Sequence, residues 1–436
     1  MSQKANKLPT QPYRGTRDFL PEEMSVRTQI FQCLYRTAET FGFQRYDGPT
    51  MEPAAIYEAK SGEEIANLQL YRLKDRADRE LALRPEMTPT VARMIAANAS
   101  QLSMPARWYS HPNCFRYERP QRGRVREHWQ LNVDIFGSES LEAEVEIFEL
   151  VSAIMKSLGA APNMYVLRAN DRILVEAALL NYVGVPLEHQ AKVTLAVDGW
   201  EKTSEEHRLA ELRGAGLSED QIQKLNDLVR MDLNDYSKAA GEEASKRSRL
   251  TKILQNGLAD APLQFDPMII RAFNYYTSTV FEVFDTSPDN NRSIFGGGRY
   301  DDLASLFTSD RISGIGFGMG DVTTWNFLEA HGLLPKPKIA PVVYAWTTAP
   351  EHRNALRTIC RLLREQSIGT VPAFESLSFK NGLSKASKQG ARFAIVLAQK
   401  EMEKGVAIVK DLGSGTQSEV ALEGIATFIQ EACKNG

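Results

Sequence analysis

Five arginines, Arg116, Arg119, Arg122, Arg124 and Arg126, fall within eleven residues of this chain. A basic run of that density ordinarily lies on a solvated face or in a disordered tail. Here Glu118, Pro120 and Gly123 interrupt it, and Gln121-Arg122-Gly123 reads as a polar turn between two extended runs. Arginines flanking a hairpin turn present planar, forked cations in fixed positions. A guanidinium matches a phosphate group through two parallel hydrogen bonds. The chemistry is therefore phosphate recognition, with the identity of the phosphates open at this point. A second cation, Arg271, stands just ahead of Tyr275-Tyr276. Read by itself, it is a surface charge beside a strand whose adjacent tyrosines point to opposite faces, one of them core.

The elements that must hold these residues follow from periodicity. Met24 to Thr40 repeats apolar residues at Val26, Ile30, Cys33, Leu34 and Ala38, close to helical spacing, after Pro21-Glu22-Glu23 at a first turn. Met104 to Ile135 is mostly extended and reads as a long antiparallel hairpin, and Ala143 to Leu158 returns to helix. From Arg168 to Pro262 the chain is charge-rich and broken by Gly184, Gly214, Gly216 and Gly241, which predicts an inserted, mainly helical module. Strand-like runs resume at Met268–Phe284 and Ile312–Met319. Leu334-Pro335-Lys336-Pro337-Lys338 is a proline-punctuated linker. Beyond it Val342–Trp346, His352–Glu365, Gly369–Phe374, Leu383–Gln389 and Phe393–Leu397 alternate strand and helix, as a small α/β domain does.

Bulk properties exclude several classes. A chain of 436 residues, 43% hydrophobic and 25% charged, has the balance of a globular protein of two or three domains. It holds no run of the roughly 20 apolar residues a membrane helix needs, and Met1–Lys7 is polar, so neither a membrane span nor a signal peptide is expected. Cys33, Cys114, Cys360 and Cys433 are scattered without a metal-binding spacing, which fits reduced thiols in a cytoplasmic protein. The net charge is −3, yet residues 341–436 carry 12 Lys/Arg against 9 Asp/Glu, leaving −6 for the rest. A mildly basic terminal module on an acidic body suits a protein that offers one end to a polyanion.

The run from Phe115 to Glu127, F-R-x-E-R-P-Q-x-G-R-x-R-E, resembles motif 2 of class II aminoacyl-tRNA synthetases in its histidyl form. Other segments match that family in order. Gly15–Pro21 resembles its N-terminal signature, and the first helix with Phe43–Pro49 resembles motif 1, its dimer-forming element. Leu83–Thr88 resembles the loop that meets the amino acid's ammonium group. Arg271–Tyr276 resembles a loop peculiar to histidyl enzymes, and Gly296–Asp301 the strand after it. Gly390–Ala394 and Val409–Leu412 resemble its anticodon-binding domain.

The resemblance implies an α+β catalytic domain with an antiparallel sheet, an inserted helical module and a C-terminal α/β anticodon-binding domain. The catalytic core would cover residues 1–167 and 263–333, the module 168–262 and the last domain 341–436. It implies a cytoplasmic homodimer, joined through motif 1, that activates histidine with ATP and Mg2+ and charges tRNA(His). Arg116 and Arg271 would serve the α-phosphate and the substrate carboxylate. Glu86, Met87, Thr88, Gln130, Asp134, Tyr275 and Tyr276 would complete the histidine pocket with those two arginines. Glu118 and Arg124 would meet ATP beside Arg116, while Arg119 and Gln121 would meet the tRNA acceptor end. No protein-borne metal site is expected. An imidazole held from both nitrogens can be told from other flat rings without an editing step.

Three departures from the family pattern involve four positions. Asp134 stands where the acid is usually Glu, one methylene longer. Ala272 and Asn274 replace a glycine and an aspartate of the histidyl loop. After Gly314-Ile315-Gly316-Phe317-Gly318-Met319-Gly320, Thr323 stands where motif 3 places the arginine that grips the γ-phosphate; Arg124, Arg126, Arg299 and Arg311 are the cations that could replace it. Such losses also suit a catalytically altered, histidine-binding regulatory relative, the regulatory subunit of ATP phosphoribosyltransferase. That relative lacks an anticodon domain and has little use for the arginine-rich turn.

Overall fold

The structure, a computed structural model, describes residues 8–59, 68–120, 123–198, 204–257, 261–270, 275–288, 293–338 and 341–434. Two compact units emerge, Met1–Leu20 with Val26–Lys336, and Pro21–Ser25 with Pro337–Gly436.

The first unit is built on a nine-stranded sheet. Its strands are β1 (Gln44–Arg45), β5 (Ala106–Ser110), β6 (Asn113–Phe115), β7 (Glu127–Phe136), β8 (Tyr165–Asp171), β9 (Leu263–Phe265), β10 (Thr279–Asp285), β11 (Ser293–Arg299) and β12 (Gly314–Gly320). The order is β1-β5-β7-β12-β11-β10-β8-β9, with β6 beside β7. Only the edge pairs β1–β5 and β8–β9 are parallel, so the functional centre is antiparallel. A three-stranded sheet of β2 (Met51–Pro53), β4 (Glu80–Leu83) and β3 (Arg72–Lys74) lies in the same unit.

The hairpin expected over Met104–Ile135 is present but broken. Pro112 has no N–H to continue a ladder, so β6 pairs the first half of β7 and β5 the second, while the Pro112 carbonyl accepts from Gln130 N at 3.1 Å. The strand expected from Met268 starts only at Thr279. Asp266-Pro267 forms a turn there instead, with Met268 N and Ile269 N both donating to Asp266.

Helix α1 (Pro21–Thr40) carries Pro21 and two acids in its first turn, which suits the N–H-rich, positive helix start. Its buried stripe Val26, Ile30, Leu34 and Ala38 joins α4 (Glu142–Ser157) and α12 (Asp321–Ala330) in covering one face of the sheet. Short helices α2 (Ala55–Glu58) and α3 (Thr88–Asn98) lie between α1 and α4 in sequence. Between β8 and β9 run α5 (Arg172–Ala178), α6 (Leu187–Asp198), α7 (Glu205–Gly214), α8 (Glu219–Leu228), α9 (Leu233–Ala240), α10 (Glu242–Arg247) and α11 (Arg249–Asn256). Most share a separate apolar cluster that includes Leu174, Leu212, Leu225 and Tyr236.

The second unit holds β13 (Val343–Thr347), α13 (Arg353–Glu365), β14 (Thr370–Pro372), α14 (Phe379–Lys388), β15 (Phe393–Leu397), α15 (Gln399–Met402), β16 (Val406–Asp411), β17 (Gln417–Ala421) and α16 (Ile425–Lys434). The first three strands are parallel and the last two antiparallel, in the order β14-β13-β15-β16-β17. Alternate residues supply two cores. Val343, Ala345, Ile395 and Leu397 face α13 and α16, while Tyr344, Trp346, Ala394 and Val396 lie on the α14 side. The expected α/β alternation holds, and α14 starts earlier than the apolar spacing suggested because Ser378 caps it from outside, accepting from Asn381 N.

Candidate active site

Strand β7 carries the sequence Glu-His-Trp-Gln-Leu-Asn-Val-Asp-Ile-Phe. Its polar and apolar residues alternate with period two, so Leu131, Val133 and Ile135 enter the core while His128, Gln130, Asn132 and Asp134 share the opposite face. The register carries that face across the sheet. Asp134 lies beside Gly316 and then Gly298, and Asn132 beside Gly318, Gly296 and Glu282 in turn. The glycines form a floor without side chains, and the residues at either side form walls.

The cleft has a volume of about 320 Å3 and is open to solvent. Glu86, Thr88, Arg116, Glu118, Arg124, His128, Gln130, Asp134, Tyr275, Tyr276, Glu282, Tyr300 and Thr323 line it. The floor must be glycine. A Cβ on Gly316 would sit 2.2 Å from Val133 O, and one on Gly318 would sit 2.2 Å from Gln130 Nε2. Gln130 is steered across this space by donating to Asn132 Oδ1 at 2.7 Å.

Asp134 is 3% exposed. Tyr300 donates its hydroxyl to Oδ1, while Oδ2 has no hydrogen-bond partner among the described residues. Burial pushes this carboxyl up to about 7, against the Tyr300 hydrogen bond, which draws it down. Tyr275 donates to Glu86 Oε2 at 3.1 Å, and the Tyr275 and Tyr276 rings stand 4.8 Å apart. Both tyrosines line the cleft and both are buried. The opposite-face expectation fails because these residues sit at a turn ahead of β10, where strand alternation does not apply.

At the other end Arg116 is anchored by donating from Nε to Pro85 O at 2.9 Å. Glu118 and Arg124 face each other at 3.6 Å. His128 stays neutral at physiological pH, because burial and then the charges of Arg116 and Arg17 pull it down to about 3. Met87 is fully buried and is not part of the lining. Arg119 is exposed outside the lining. Gln121, Arg271, Ala272 and Asn274 lie outside the described residues.

The structure separates the four cations that could stand in for the missing motif 3 arginine. Arg299 is 1% exposed and bound to Glu144, at 2.5 Å from Nε and 2.8 Å from Nη2. Arg311 pairs with Asp301 and Asp302. Arg126 stacks on Tyr13 and Tyr117 and donates to Glu118 O. Of the four, Arg124 alone lines the cleft. Thr323 also lines it, but its hydroxyl is spent on Ile294 O at 2.6 Å and Gly320 O at 3.2 Å.

Sequence reasoning missed His128, Tyr300 and Glu282 as lining residues. The first was available from the period-two alternation of β7. Tyr300 and Glu282 were not, since only strand order brings β10, β11 and the segment after it to the cleft, across β12 from β7.

Comparison with known proteins places residues 15–321 on a family model described as histidyl-tRNA synthetase, and residues 339–432 on one described as an anticodon binding domain. A histidine–tRNA ligase of Leptospira biflexa is 38% identical over 419 residues, covering 95% of this chain and 96% of its own length. One from Pyrococcus furiosus is 33% identical, covering 97% and 99%. The fold also matches a crystal structure of histidyl-tRNA synthetase from Nostoc sp. PCC 7120, with a TM-score of 0.78 and 24% identity, covering 98% of this chain and 100% of that one.

Proposed function

The chain belongs to the histidyl-tRNA synthetase family, and from that premise we propose that it is a histidine–tRNA ligase working from the β7–β12 cleft. It joins histidine to ATP as histidyl-adenylate, releases pyrophosphate, and passes the histidyl group to the 3′ end of tRNA(His). One observation carries the assignment of the site. A single cleft has a buried acid, Asp134, with one oxygen unpaired among the described residues and, from the segment between β6 and β7, the cations Arg116 and Arg124.

In this reading Asp134 Oδ2 accepts from the imidazole, with Gln130, Tyr275 and Tyr276 around the ring. Glu86 and Thr88 take the ammonium group, and Met87 supports that loop from the core. The histidine carboxylate attacks the α-phosphorus and the bond to pyrophosphate breaks, so negative charge gathers between nucleophile and leaving group. Fixed guanidinium groups stabilise such charge more than that of the separated substrates. Arg116 is already anchored for this at Pro85, and Arg271 joins it on grounds of its family motif. Glu118 addresses the nucleotide, and Arg124 takes the outer phosphates in place of an arginine at 323.

Among the described residues no group of three acidic, histidine or cysteine side chains could cage a metal. The carboxylates of Glu118 and Glu282 fit the smaller demand of magnesium arriving on the nucleotide, which needs one or two protein carboxylates besides phosphate oxygens. Magnesium would supply charge neutralisation at the phosphates. Arg119 and Gln121 read the acceptor end of the tRNA, and the second unit takes its anticodon. We place the protein in the cytoplasm as a homodimer through α1; no helix among the described residues is long and apolar enough to cross a membrane.

The deciding experiment is exchange of labelled pyrophosphate into ATP. Histidine should drive it, and Arg116→Ala or Arg271→Ala should abolish it. Exchange driven by threonine, proline or glycine instead, or histidine binding without exchange, would overturn the assignment.

A further inference from the structure

Behind the cleft, the first residue of α12 closes a buried charge cluster that the reaction above does not use. Asp321 Oδ2 accepts from Arg27 Nη1 at 2.7 Å and Arg17 Nη2 at 2.9 Å, and Oδ1 accepts from Trp129 N at 3.0 Å. The side chains of Arg27 and Asp321 are 4% and 3% exposed, and that of Arg17 27%. Arg27 also lies 3.7 Å from the centre of the Phe19 ring and 4.7 Å from that of Trp129.

The position of each partner matters. Strand β12 ends at Gly320, opposite Gln130, so the next β7 amide on that side would lose its ladder partner. Asp321 supplies the missing acceptor with its side chain. The two residues after Asp321, Val322 and Thr323, and the two around Trp129, His128 and Gln130, all line the cleft. One carboxylate thus ties both walls of the nucleotide end together. Two arginines on one carboxylate leave an excess positive charge there, and Arg17 is close enough to His128 to help depress its protonation.

We propose that Asp321 is a positioning residue for ATP, and that Arg17 and Arg27 act through it to fix the span between β7 and the start of α12 on which the triphosphate rests. This inference rests on the assignment of ATP to that end of the cleft. It explains how a site with Thr323 in place of an arginine keeps its outer end ordered.

The test is pyrophosphate exchange with KM measured separately for ATP and histidine in Asp321→Asn, Arg17→Met and the double variant. Each single change removes charge-assisted hydrogen bonds and should raise the KM for ATP about tenfold, with the KM for histidine within about twofold. The double variant should be no worse than Asp321→Asn alone, since the Arg17 contact is already disrupted there. Arg17→Lys, which keeps a cation at the carboxylate, should recover much of the loss. Equal shifts in both KM values, additive losses, or an unchanged KM for ATP would each overturn the proposal. Where Asp321→Asn fails to fold, Arg17→Met carries the same comparison, its side chain being partly exposed. A wild-type protein without histidine-driven exchange would instead sink the ligase assignment, and direct ATP-binding titration of the same variants would still decide this one.

Discussion

Tyr300 and Asp134 form a pair in which the tyrosine occupies one carboxylate oxygen and leaves the other without a partner among the described residues. The shorter acid at this position is therefore held from behind rather than left to reach unaided. A direct hydrogen bond tolerates little stretch, so the pairing places Oδ2 where an imidazole N–H must come to it.

Asp134→Asn should lower kcat/KM for histidine about a hundredfold, the worth of one buried hydrogen bond to a charged group, with the KM for ATP little changed. Steady-state exchange kinetics in each substrate check this, and equal losses in both would contradict the role.

The same carboxyl gives a pH signature. It titrates at about 7 in the folded protein and near 4 when unfolded, so between those values only the folded state holds the proton. Stability then falls as pH rises from about 4 to about 7 and levels above. Asp134→Asn removes this slope, so its Tm relative to wild type should climb through that window. In activity, kcat/KM for histidine should fall below pH 7 as Oδ2 ceases to be a free acceptor, and the variant should lose that limb apart from titration of the substrate's own imidazole.

Gly316→Ala and Gly318→Ala should differ in kind. The first drives a methyl into the Val133 carbonyl, a backbone atom that cannot step aside, and should cost about 1–3 kcal/mol of stability. The second meets the end of the Gln130 side chain, which can move, so stability should hold while the KM for histidine rises. Denaturant melts alongside kinetics separate the two.

Glu144 is fully buried and bonded to both Arg249 and Arg299. Glu144→Ala leaves Arg299, itself 1% exposed, with Asp301 as its one carboxylate partner among the described residues, and should cost about 3 kcal/mol. Arg249→Ala leaves the Arg299 pair intact and should cost well under half of that by urea denaturation.

The architecture was legible where one strong period ran uninterrupted, as in α1, α4 and the strands of the second unit. It was misread around Met268, where a local Asp-Pro turn overrode an apolar run, and at Tyr275-Tyr276, where a turn replaced the alternation of a strand. Arg116, Gln130 and Asp134 could be named from sequence because the resemblance to motif 2 covers the hairpin on which they lie. Tyr300 and the Arg17–Asp321 pair could not, since their partners are 166 and 304 residues away and only the sheet order brings them together.

The row Gly316, Gly318 and Gly320, which lines the cleft, has a thermodynamic consequence. A floor made of main chain owns no rotamers, so substrate arrival freezes nothing there. Ordering a rotamer-rich side chain on binding costs about 0.5–1.5 kcal/mol, and this surface is spared that penalty at each of its glycine positions. Its disorder was surrendered once, during folding, when glycines lose more freedom than any other residue. Affinity at this face is therefore drawn from the stability of the sheet, and turnover repeats without reordering it.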